Sequence, residues 1–398
     1  MIKKALLETI YDSASMQRWN DKIRPVDLRE LDKQAHKMVI AYVIGKIEEE
    51  ERGVDWIDII EGGIFEFFQR LILTDLKPQI FGEIKKDKTK YKQLNEWVFE
   101  KLEPTISPLG KDFFNRFKNY FLESKETLSK KILHAAHFYA TKWEFNIIER
   151  ANPEGYEIPQ IREELENELE KHYDLTGLKQ LVLYTNLNNF VDLCGQLRFQ
   201  LRWSNLHMVP RTSVLGHMLI VAMLAYLFSL EINACKKRCL NNYFTGLFHD
   251  LPEVLTRDII SPVKRSIEGL EDMIKGYEIR RMEEEVYKLL PPDWHTQIKM
   301  FTESEFKSIV TIDGKNQEMS SDEMQEHYNK DGFNPRDGKL IEAIDDLSAY
   351  IEVYLSLRNG IKSSKLKDAE NGLRNKYKGR KSKIAGIDFA AIYADFTS

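Results

Sequence analysis

The sequence predicts an all-α fold, and three observations carry that prediction. Apolar residues recur at helical spacing in segment after segment, and no stretch alternates apolar with polar residues at period two. Pro and Gly fall at the ends of these segments, as at Asn152-Pro153 with Gly155 and at Pro291-Pro292. The two halves of the chain also keep the same order of parts, as a tandem pair of like helical units would.

Length and composition bound the rest. A chain of 398 residues exceeds one typical domain. With 21 Phe, 17 Tyr and 6 Trp it can bury a sizeable core. A net charge of -5 with interspersed signs excludes a general pull toward nucleic acid. Cys194, Cys235 and Cys239 are too few and too odd for a disulfide framework, which fits a reducing compartment. The N-terminus lacks the pattern of a signal peptide, and the longest apolar run, Met218 to Leu230, is too short to span a bilayer. A cytoplasmic protein with no membrane and no nucleic-acid partner is expected.

Along the chain, Ala5, Leu6, Ile10 and Tyr11 form a first apolar stripe, and Met38, Val39, Tyr42, Val43 and Ile47 a second. Residues 64–82 hold a strongly apolar helix, and 83–130 a Lys-rich helical surface. Residues 131–150 read as a long helix with His134 and His137 one turn apart. The acidic stretch 156–177 reads as a helical linker between units at 1–155 and 178–398. A long helix is expected to run to Arg202-Trp203, and His217 opens the Met218–Leu230 helix. Residues 312–338, rich in Gly, Asn, Asp and Ser, read as an insertion loop. Residues 339–358 form a last core helix carrying Asp345 and Asp346.

The repeat is read from Arg18-Trp19 and Arg202-Trp203, from His36 and His217, and from Asp75 and Asp258. Where the second half has His249-Asp250, Glu253 and Asp345, the first has Glu66-Phe67, Arg70 and His137. His36, Glu66 and His137 are the remaining candidates for a second, weak metal site.

The stretch from Asn241 to Lys264 carries the chemistry. An apolar helix runs into His249-Asp250, Glu253 follows, and then Asp258. Together with His217 and Asp345 this gives two imidazoles and two carboxylates, a mixed N/O set suited to one divalent transition metal: Mn, Co, Fe, Zn or Ni. Lys264 is a candidate contact for a phosphate chain, or an ordinary surface charge.

The order H…HD…D over an all-α chain resembles the HD superfamily of metal-dependent phosphohydrolases. The likeness rests on Arg202-Trp203, His217, HDLPEVLTRDIISPVK (249–264) and AIDDLSAYIE (343–352), and covers roughly residues 180–360. Within the superfamily it is closest to the bacterial 5′-deoxynucleotidases. The resemblance implies tandem HD-like domains, the first degenerate. It implies His217, His249, Asp250 and Asp345 as metal ligands, with Asp346 ranked behind Asp345. It implies Glu253 as the group that positions or activates the attacking water, Asp258 near the sugar or nucleophile, Arg202 on the phosphate and Trp203 against the substrate. The expected activity is hydrolysis of the 5′-phosphate of (deoxy)nucleoside monophosphates by metal-bound water. Release of triphosphate or pyrophosphate, cleavage of a phosphodiester, and nucleotide sensing with little turnover are the alternatives, in a monomer or homodimer.

Overall fold

The structure is a computed structural model, and it describes residues 2–74, 76–123, 125–259, 263 and 266–396. Helices dominate, as expected, and the described strands form three two-stranded antiparallel hairpins. Six helices carry the architecture: α1 (Glu30–Arg52), α2 (Trp56–Ile72), α3 (Leu128–Ala151), α4 (Val214–Glu231), α5 (Lys236–Phe248) and α6 (Gly338–Arg358). In each half the three helices pack on one another, and α1 packs against α4 across the halves.

The local reasons are chemical. α4 is apolar all round and buried along nearly its whole length, so it is a core helix. Ser213 caps it by accepting from the Gly216 amide at 2.9 Å. Gly246 lets α5 lie directly against α4, because a Cβ there would sit 2.7 Å from the Ala222 Cα. Asp337 caps α6 by accepting from the Leu340 amide.

The halves share one core that runs from Ile2 to Phe396. Tyr42 of α1 meets the rings of Phe244 and Phe248 of α5 at 5.0 and 5.1 Å, contacts worth about 0.5–1.5 kcal/mol each beyond their burial. The Tyr226 hydroxyl donates to Glu61 and the Tyr11 hydroxyl to the Ser348 carbonyl, again across the halves. The expected linker holds a helix, Ile158–Glu170, whose Ile158, Ile161 and Leu165 pack on Phe145 and Ile148 of α3. The boundary at 156–177 therefore divides the sequence and not the core.

Two expectations need correction. The long helix toward Arg202-Trp203 is instead two helices, Thr176–Leu183 and Thr185–Gln196, broken where Tyr184 turns extended. Arg202-Trp203 follows in a turn after Leu201 bridges Ser213, with the Arg202 amide donating to the Thr212 carbonyl. The segment 312–338 is not an open loop. It completes a hairpin (Ile309–Ile312 with Lys315–Glu318) and ends on a buried network. There Asp337 pairs with Arg238 at 2.6 Å and accepts from Ser308, both partners of the ion pair being fully buried. A buried carboxylate needs such partners, and their requirement holds this polar segment in place.

Candidate metal centre

His217 stands in the first turn of α4, His249 directly follows α5, and Asp345 lies within α6. Three helices thus aim three side chains at one point, and their ligand atoms all lie within 4.8 Å of one another. The His217 Nε2 is 2.9 Å from Asp345 Oδ1 and 3.7 Å from Asp250 Oδ2. His249 Nε2 is 3.2 Å from the same Asp250 oxygen. His249 Nδ1 is 2.9 Å from the Gly246 carbonyl. Since a carbonyl only accepts, Nδ1 carries a hydrogen, and in the neutral imidazole the lone pair is on Nε2, toward the cluster.

The donor set fits a cation. His217 Nδ1, His217 Nε2 and His249 Nε2 are buried and have no partner in hydrogen-bond geometry, although carboxylate oxygens stand close by. Each such atom costs about 1–3 kcal/mol when left unsatisfied. An ion among them would satisfy both Nε2 atoms and the carboxylates together.

The electrostatics agree. Burial alone would raise the Asp250 carboxyl, but His249, His217 and Arg202 hold it well below the usual range. Burial likewise works against Asp345, and His217 followed by Arg202 keeps it lowered. Burial pulls the His249 imidazole down, yet Asp250, then Asp345 and the Gly246 carbonyl, outweigh it and raise it to about 9. Burial pushes the Asp258 carboxyl up despite Arg202.

Arg202 and Trp203 border this cluster. Arg202 Nη1 lies 3.6 Å from Asp250, and its Nε lies 3.2 Å from Glu352. Trp203 Nε1 donates to the same Glu352 oxygen at 2.8 Å. Glu253 is buried in the short helix Glu253–Thr256 that follows Asp250. Asp258 lies in the loop beyond, near enough for Arg202, Asp250 and Glu352 to act on it. Lys264 is outside the described residues. Asp346 turns away, bonded to Lys376 and Tyr377, which leaves Asp345 to face the cluster.

Sequence reasoning missed Glu352. It ties Arg202 to Trp203, and its other oxygen is 3.9 Å from His217 Nδ1. The signal was present: position 352 is two helical turns from Asp345, on the same face of α6.

The first half repeats part of this geometry. Arg18 Nε and Trp19 Nε1 donate to Glu144 at 2.8 and 2.9 Å. Trp19 and Trp203 share a φ of 55°. The Glu30 amide donates to Met16 as the Val214 amide does to Gln200, both at 2.9 Å and 184 positions apart. This register corrects one pairing. His217 corresponds to Lys33, not to His36. His36 is fully buried, bonded to the Val191 carbonyl and Arg198, and burial lowers it to about 3.

No second metal set converges among the described residues. Lys33 Nζ lies 2.6 Å from His137 Nδ1, and Lys37 Nζ lies 2.9 Å from Glu66. At the candidate second site, His137 and Glu66 thus face the lysines Lys33 and Lys37 and His36 stands apart from both.

Residues 194–373 match the family model described as HD domain. No curated protein and no solved structure matches the chain.

Proposed function

We propose that this chain hydrolyses the 5′-phosphate of (deoxy)nucleoside monophosphates, a reading supported by the match of residues 194–373 to the HD-domain model, which suggests a metal-dependent phosphohydrolase in general. The observation that carries the reading is the convergence of His217, His249 and Asp345 from three helices, both Nε2 atoms buried and unsatisfied, with Asp250 Oδ2 3.7 and 3.2 Å from those two nitrogens. These four residues hold one divalent transition metal. Such an ion supplies Lewis acidity and lowers the pKa of water bound to it.

The residues around it then have defined work. Arg202 keeps its Nε on Glu352 and offers its remaining N–H groups to phosphate oxygens. Glu352 also fixes the Trp203 indole, which forms one wall for the nucleoside. Glu253 takes a proton from the attacking water as the water oxygen bonds to phosphorus; the P–O5′ bond breaks and O5′ takes a proton from solvent to leave as the 5′-hydroxyl. Asp258, its carboxyl raised by burial, stands beside the sugar or the nucleophile. The first half is a degenerate HD-like domain. It keeps the Arg-Trp-Glu clamp, lacks the ligands, and supports α5 from behind.

The test is a screen of the purified chain with Mn²⁺ or Co²⁺ against deoxynucleoside mono- and triphosphates, with product identification. Release of inorganic phosphate from monophosphates, abolished in His249→Ala, is expected. Triphosphate or pyrophosphate as product would replace this reading with that of a triphosphohydrolase or pyrophosphohydrolase. Equal inactivity of wild type and His249→Ala toward every nucleotide would overturn the enzyme reading.

A further inference from the structure

A charge cluster in the first half has the opposite balance to the His217, His249 and Asp345 cluster. Glu30, Glu66 and Glu144 face five basic groups: Arg18, Arg70, Arg198, Lys33 and Lys37. Arg18 and Arg70 share Glu30, at 2.8 and 3.3 Å. Arg18 and Arg198 share Glu144, both at 2.8 Å. Lys33 is fully buried and makes no ion pair among the described residues; its contact is the His137 imidazole. Buried Asp32, on which Arg198, Arg29 and Glu144 act, makes this six basic groups against four carboxylates, an excess of two that a phosphate monoester dianion would neutralise.

The geometry of the donors points the same way. A protonated Lys33 can only donate, so His137 Nδ1 accepts from it and Nε2 carries the ring hydrogen. His137 therefore presents a donor, where His249 presents a lone pair. Among the described residues, the Nη2 groups of Arg18 and Arg70 have no hydrogen-bond partner. Solvent reaches the cluster, since the side chains of Arg70 and Glu66 are 30% and 18% exposed and His137 is half-buried. For comparison, Asp345 in the metal centre is 28% exposed.

We propose that this cluster is a metal-independent binding site for the phosphate group of a small phosphate ester, with Arg18, Arg70 and His137 as donors and Lys33 supplying charge behind them. Fixed cations here take the place that a metal ion takes in the second half. The site binds without hydrolysing, because the groups that would hold an ion and activate water are replaced by Lys33, Phe67 and Arg70. The inference rests on the first half alone and stands whether or not the metal centre turns over nucleotides.

Calorimetry on the full chain in a chelator, titrated separately with inorganic phosphate, a nucleoside 5′-monophosphate and the matching nucleoside, tests it. Saturable binding of phosphate and of the monophosphate is expected, and none of the nucleoside. Tighter binding of the monophosphate would add recognition of the nucleoside to that of phosphate. Binding should weaken at least about tenfold in Arg70→Gln and in Lys33→Met, and persist in Arg202→Gln. Arg70 is partly exposed, so Arg70→Gln keeps the test valid should Lys33→Met fold poorly. Binding lost in Arg202→Gln but unchanged in Arg70→Gln would overturn the proposal, as would no saturable binding of phosphate or monophosphate by the wild type.

Discussion

The two clefts of this chain share a clamp and differ in what it faces. Arg202, Trp203 and Glu352 in one, and Arg18, Trp19 and Glu144 in the other, make the same bonds on the same backbone conformation. Beyond the clamp one cleft gathers His217, His249, Asp250 and Asp345, and the other Lys33, Glu66, Phe67 and His137. A carboxylate-rich pocket calls for a cation, whereas a lysine-rich one already contains its cations. A few side chains on a retained scaffold thus reverse which ion the pocket attracts.

The largest expected effect separates the clefts outright. His249→Ala or Asp250→Asn should lower turnover at least about 10³-fold, the loss of roughly 4 kcal/mol of charge stabilisation. Glu66→Ala, at the corresponding place in the first half, should leave turnover unchanged. Steady-state kinetics on both variants checks this.

Next is the clamp. Glu352→Gln releases Arg202 and Trp203 and should cost about 10–100-fold in activity or metal affinity. Glu144→Gln breaks a fully buried network and should lower Tm without changing kcat/KM. Equal kinetic effects of the two would remove the distinction.

The packing beneath the clefts differs as well. A Cβ at Gly246 would meet the Ala222 backbone, whereas at Gly63 it would meet the flexible Met38 side chain. Gly246→Ala should therefore cost about 1–3 kcal/mol of stability and weaken metal binding, and Gly63→Ala should cost less. Denaturant unfolding of the two variants, with metal titration, measures both.

The smallest effects are opposite pH dependences of the metal-free chain. Burial holds Lys33 well below its ordinary 10.5. Between its folded pKa and 10.5 the unfolded chain binds more protons, so this group makes stability rise with pH. His249 is raised from 6.5 to about 9. Its contribution is complete below pH 6.5 and lost as pH rises through 9. Lys33→Met should accordingly raise Tm at neutral pH by about 1–3 °C, a gain that shrinks toward pH 10. His249→Ala should flatten the loss of stability between pH 6.5 and 9. Thermal melts across that range check both.

Much of this was legible in the sequence, for definable reasons. The residues that converge, His217, His249 and Asp345, stood out because they are chemically distinctive and each sits in or at the end of a helix with a buried apolar face. The helical class followed from the same periodicity. The register of the first half was harder to read. Pairing His36 with His217 matched residue types, but the alignment is set by two-residue strands, Gln17–Arg18 and Leu28–Arg29, whose hydrogen bonds leave no trace in composition. Glu352 lay within a stretch already singled out and looked like one more helix-surface glutamate. Its burial depends on Arg202 arriving from 150 residues away. Likewise the polar composition of 312–338 suggested a loop, because the Arg238 that fixes Asp337 lies far off in sequence.

On this reading one site holds a divalent ion and the other holds fixed cations in its stead. The most direct measurement is metal content per chain together with an anomalous-scattering map of metal-loaded crystals. One ion per chain, between His217, His249, Asp250 and Asp345, with none beside Lys33 and His137, is the predicted result. A second ion in the first half, or metal content unchanged in His249→Ala, would contradict it.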